Sequence, residues 1–136
     1  MSEVVLYPPI EPLVITYLRT RLERWSDPVT VATRVPVPRP DRLVRITAAG
    51  GGETNVVLST RLVIVECWDT REPEAALLAE RCWALLLASR TDPGEPRIRN
   101  AVNVGAPVNH PDPDTRHPRY QFTVALTLRG LPDRYH

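Results

Sequence analysis

Two histidines and two carboxylates crowd one proline-rich stretch: His110, Asp112, Asp114 and His117. Imidazole nitrogens and carboxylate oxygens are ligands for a divalent cation. Their spacing argues otherwise, because no histidine pair falls at helical or strand intervals, and the Asp-Pro steps between them are ordinary turn formers. A solvated loop without metal is the expectation. A cysteine nucleophile would need Cys67 or Cys82 beside a histidine. Cys82 falls mid-helix on an apolar stripe, where a thiol is normally inert, and two cysteines are too few for a disulfide framework, so both read as reduced core thiols. Gly50-Gly51-Gly52-Glu53 lacks the lysine and spacing of a phosphate cradle and reads as a flexible hairpin. No acid, base and nucleophile converge, so neither a catalytic residue nor a cofactor site is expected.

The remaining candidates are arginines and aromatics. All seventeen basic residues are arginine, whose planar guanidinium suits bidentate pairing and interfaces better than lysine. Arg34, Arg39, Arg42 and Arg45 surround a proline loop, and Arg97 and Arg99 share one face of a strand. They can contact phosphates, pair with carboxylates across a subunit boundary, or face water. Trp25, Trp68 and Trp83 read as core or interface anchors.

The elements that position these residues follow from periodicity. Ile10, Leu13, Val14, Tyr17, Leu18, Leu22 and Trp25 recur at three and four, an amphipathic helix opened by Pro9 or Pro12 and ended by Asp27-Pro28. Val29–Val35 alternates and is β-branched, a strand. Prolines at 36, 38 and 40 make Val35–Asp41 a stiff loop or edge. Leu43–Ala48 is a second strand, with Val44, Ile46 and Ala48 on one face; the three glycines turn the chain, and Asn55–Ser59 is a short strand or extended loop. Leu62–Trp68 is a central strand whose unbroken apolar run, Leu62 to Val65, predicts cover on both faces, one by a helix and the other by a second layer or another subunit.

A second helix runs from Glu72 to Ser89, capped by Asp69 or Thr70. Ala75, Leu78, Cys82, Leu85 and Leu86 form its inward stripe. Leu77, Trp83, Ala84, Leu87 and Ala88 lie around the rest of the cylinder, so burial on more than one side is expected. Arg97–Gly105 is a strand with Ile98, Val102 and Val104 inward. Residues 106–119 read as a long protruding loop, residues 1–8 as an extended arm. Tyr120–Arg129 alternates cleanly, a half-buried antiparallel strand. The order predicts an α+β protein: a mainly antiparallel sheet of four to five strands with two helices packed on it, as one domain over residues 1–136.

Composition narrows the classes further. The formal net charge is +1, so no global field favours nucleic acid or an anionic membrane. No apolar run approaches the ~18 residues of a membrane span. An early acid and three early prolines exclude a secretory signal, and a reducing cytoplasm is expected.

Three segments together carry a resemblance: Val4–Leu22 (VVLYPPIEPLVITYLRTRL), Arg61–Leu87 with its VECWD step into an alanine- and leucine-rich helix, and Pro118–Gly130 (PRYQFTVALTLRG). The chain resembles the tail terminator (tail completion) proteins of long-tailed phages, especially those of actinobacterial hosts. The resemblance implies a structural, non-enzymatic subunit of a hexameric ring that stops tail-tube polymerisation and joins the tail to the neck. Its partners would be identical copies, the tail tube protein and a head–tail connector, with genomic DNA passing through without sequence-specific binding and no membrane. Its place would be the head-proximal end of the virion tail, after assembly in the host cytoplasm. Arg39, Arg42, Trp83, Leu87, Arg97, Arg99, His110 and Arg116 are the residues expected at a subunit or tube contact. Two alternatives are a head–tail connector, meeting the portal side, and a small nucleic-acid-binding α+β module.

Overall fold

The computed structural model describes residues 4–25 and 28–132. In chain order the elements are β1 (Val5–Leu6), α1 (Ile10–Arg24), β2 (Thr30–Ala32), β3 (Leu43–Glu53), β4 (Leu58–Trp68), α2 (Glu72–Ala88), β5 (Ile98–Asn109), β6 (Arg119–Arg129) and β7 (Leu131–Pro132), with a 3-10 turn at Ser89–Thr91. The result is an α+β fold. Five strands form one sheet in the order β2-β3-β4-β6-β5, and β1 pairs with β7 in a separate two-stranded sheet. All pairings are antiparallel except β2 with β3.

Strand β4 is central, as its apolar run predicts. Val63 and Val65 face the helices, opposite Val124 and Phe122 of β6, and all four lie in the core. Helix α1 packs over β2 and β3 and α2 over β4, β5 and β6. The two helices meet where the Tyr17 hydroxyl donates to the Leu85 carbonyl at 3.0 Å. The predicted α1 stripe is buried from Ile10 to Leu22, but Trp25 is half exposed. It lies past the last helical turn and stacks against Arg81. The expected stop at Asp27-Pro28 involves Asp27, which is outside the described residues.

Several expectations are corrected. The predicted strand Val29–Val35 shrinks to Thr30–Ala32, because the chain bends at Thr33 and Arg34, before the prolines begin. The glycine triplet does not turn the chain: it lies inside β3, where the register shifts between Ala48 and Gly51. Gly50 and Gly51 carry positive φ of 89° and 130°, and a Cβ on Gly51 would collide with the Thr60 carbonyl, so only glycine fits this bulge. The turn comes later, where the Asn55 side chain accepts from the amides of Val57 and Leu58. Helix α2 has Arg71 at its N-cap with no side-chain cap; Asp69 instead accepts from the Thr70 amide and from Arg42.

The predicted loop at 106–119 is also shorter. Residues 106–109 continue β5, paired as far as Asn109 with Tyr120. The connection that remains, from His110, closes on itself: His110 N donates to Arg119 O, Asp112 N to His117 O and Arg116 N to Asp112 O. The N-terminal segment is not a detached arm where it is described, since β1 pairs with β7. Gly130 permits this, because a Cβ there would run into Val5 and Tyr7.

Candidate assembly surface

The five-stranded sheet has two faces of different character. Along β6, Phe122, Val124, Leu126 and Leu128 are buried beneath the helices, while Gln121, Thr123, Ala125 and Thr127 between them are only half-buried. The same alternation sets Val63 and Val65 of β4 against Leu62 and Ile64. No described helix or strand packs over the second face. The expected cover on both sides of β4 is therefore not supplied by the described chain, and the apolar run leaves Leu62 and Ile64 beside Ala125 on an open surface. Threonine hydroxyls fill the polar positions, with Thr60 bonded to Thr127 at 3.1 Å and to Thr54 at 2.9 Å.

One end of this face is held by charge. Glu66, 5% exposed, accepts from Arg45 Nε at 2.8 Å and from Arg119 Nη1 at 2.9 Å. Arg119 also donates to the His110 carbonyl at 2.8 Å. The two guanidiniums lie 5.9 and 5.5 Å from the ring centroid of Trp68, whose indole N–H reaches Asp112 at 3.3 Å. Buried charges of this kind persist when each is paired and hydrogen-bonded.

Strand β5 forms one edge of the sheet. It does not follow the predicted pattern, because register shifts interrupt it at three places. Ile98 and Ala101 turn inward, and Val102, Val104 and Val108 are left more than half exposed. Bulges twist an edge and discourage uncontrolled strand addition, yet the exposed valines are an apolar strip.

The predicted contact residues do not form one patch. Arg42, His110 and Arg116 lie toward the Trp68 end, with Arg42 bonded to Asp69 at 2.8 Å. Arg39 sits half-buried in the proline loop. Arg97 and Arg99 lie at the opposite end, where Arg97 clasps Glu95 at 2.7 and 2.9 Å. Trp83 and Leu87 pack against their own core, and the Trp83 indole donates to Asn103 at 3.1 Å. On α2 it is Leu77, half exposed, that faces outward. The open face, with Leu62 and Ile64, was not among the predicted contacts, although the alternation of β6 already separated its polar-side residues from the core.

Cys67 and Cys82 are free and fully buried. Burial and the neighbouring Cys82 push the Cys67 thiol well above its ordinary value, which keeps it protonated and unreactive. Among the described residues, no three of His, Cys, Asp or Glu come together as a metal site, and no helix is long and apolar enough to cross a membrane.

Three carboxyls sit below their usual range. Arg21 holds Asp92 down, helped by the Gly94 amide. Arg97 does the same for Glu95. At Asp112 burial pulls upward but is outweighed by donors from Asp114, Trp68 and Thr115. A depressed folded-state pKa gives stability above the unfolded value and loses it as pH falls through the folded one. Melting temperature should stay flat through neutral pH and drop below about pH 5, where unfolded carboxyls start to take up protons. In Arg21→Met the drop should be shallower, since the Asp92 contribution is gone; an unchanged profile would contradict that assignment.

No protein family matches the chain, and no curated protein matches it.

Proposed function

We propose that the chain is a structural subunit of a long-tailed phage: a tail terminator that closes with identical copies into a hexameric ring at the head-proximal end of the tail tube. The observation that carries this reading is the uncovered sheet face, where Leu62, Ile64 and Ala125 stand half-buried with no described element above them. Such a surface favours association, because apolar area removed from water contributes roughly 25 cal/mol per Å². The half-exposed Leu77 on α2 and the valines of β5 supply further apolar area at other positions. Distinct, non-identical patches are what a head-to-tail ring requires.

In this reading the work is steric and associative. No residue acts as a catalyst, and no metal or cofactor takes part. The ring seats on the last turn of tube subunits, ends polymerisation, and presents its other side to the connector at the neck. The 106–119 segment is the lesser candidate for a neighbour contact, since residues 106–109 continue β5 and the loop after them is tied back to Asp112 and Arg119. The open sheet face takes its place as the main contact.

The experiment is electron imaging of the purified protein mixed with terminator-free tail tubes of the phage that encodes it. Sixfold rings at one tube end, with tubes that no longer elongate, are expected. A parallel mixture with tail-free heads tests the connector reading, which attachment to the portal alone would favour; absence of rings and of attachment to tubes would overturn the proposal.

A further inference from the structure

At the end of the sheet away from Trp68, three surface grooves run into one another. The first, about 270 Å³, is lined by Arg90, Pro96 and Arg99 among others. The second, about 290 Å³, shares Pro96 and Arg99 and adds Arg97 and Arg129. The third, about 330 Å³, shares Arg97 and Arg129 and continues to Tyr7 and Pro132. Their shared walls make a continuous trough with four arginines contributing to its sides. A β-bulge falls at Arg99, between Ile98 and Asn100, and bulges re-aim side chains in this way.

The acids at hand do not neutralise the trough. Glu95 is occupied by Arg97, and Asp92 by Arg21 at 2.6 Å. Arg90, Arg99 and Arg129 have no carboxylate partner among the described residues. In a protein of net charge +1, three uncompensated guanidiniums in one trough are a local excess of positive charge. Guanidinium presents paired donors that match phosphate oxygens bidentately. Several arginines beside an open trough fit a repeating anion better than a single carboxylate, which needs one closed pocket. Contacts to phosphate oxygens position a nucleic acid without reading its bases.

We propose that the Arg90–Arg97–Arg99–Arg129 trough binds the phosphate backbone of DNA independently of sequence. The inference stands on this groove alone and does not depend on ring formation. It is tested by fluorescence anisotropy of a labelled duplex of arbitrary sequence, titrated with the full chain at several salt concentrations. Binding should weaken with salt, with a log–log slope of roughly −2 to −3 for about three neutralised phosphates. The double reversal R99E/R129E should weaken binding by about tenfold or more at low salt. R34E/R71E makes the same charge change away from the trough, at the strand edge opposite β5 and at the start of α2, and should leave affinity nearly unchanged. R99Q/R129Q should show a smaller loss of the same sign, which covers the case of a reversal that impairs folding. Equal losses in both double reversals, no binding at low salt, or tighter binding of labelled polyglutamate than of duplex would each overturn the assignment. Polyglutamate preference would instead mark the trough as a site for an acidic protein segment.

Discussion

Replacing Ile64 with arginine is expected to leave the fold intact and to hold the protein as a 15.3 kDa monomer. Ile64 lies on the central strand, paired with Thr47 and Thr123, in the middle of the uncovered face. In the free subunit its side chain is half-buried, with water on one side, so an arginine there can extend outward and keep its charge solvated. In an assembled ring the same position would be covered. An unpaired guanidinium trapped in an apolar contact costs several kcal/mol, and each ~1.4 kcal/mol is a tenfold loss of affinity. Association should therefore disappear while the melting temperature barely moves. A variant that still assembles would place the interface elsewhere.

Removing the Glu66 carboxylate should have the largest effect on stability. Glu66→Ala is expected to lower the unfolding free energy by about 3–5 kcal/mol, read by chemical denaturation, because it strands a buried cation. Side-chain exposure decides which partner suffers: Arg45 retains 35% and can turn to water, whereas Arg119 retains 11%. After the substitution Arg119 keeps the His110 carbonyl but loses its counter-charge, and Trp68 loses the frame that sets the guanidiniums against its ring. A buried pair replaced entirely by apolar groups is often tolerated. Glu66→Ala combined with Arg119→Met should therefore recover part of the loss, and the double-mutant cycle measures the coupling. A cost under about 1 kcal/mol for Glu66→Ala would mean that water already reaches the cluster.

Much of this architecture was legible where one physical rule acted alone. The α1 stripe and the β6 alternation each reflect a single face buried against a single layer, so periodicity named their core residues. Leu62 to Val65 reads as a strand covered on both faces, the second by another layer or another subunit, and the described chain supplies the first cover alone. The reading failed where two rules competed. The glycines of β3 read as a turn, since the freedom that permits a hairpin also permits a bulge. In β5 the bulges broke the period, and Val102 and Val104 came out exposed instead of inward. The predicted contact residues, five arginines with Trp83, Leu87 and His110, share side-chain character rather than a place in the fold, and they scatter over both ends of the sheet. Arg90 and Arg129 complete the arginine trough; Arg90 precedes Arg97 by a short loop, but Arg129 lies far along the chain, and only the pairing of β5 with β6 brings it alongside.

The most direct test is the mass of the purified wild-type chain in solution across a concentration series, beside Ile64→Arg. A uniform species at six times the chain mass, lost in the variant, is the predicted result. Wild-type protein that stays a single subunit at its highest soluble concentration, and also in the presence of tail tubes, would contradict assembly through the open sheet face.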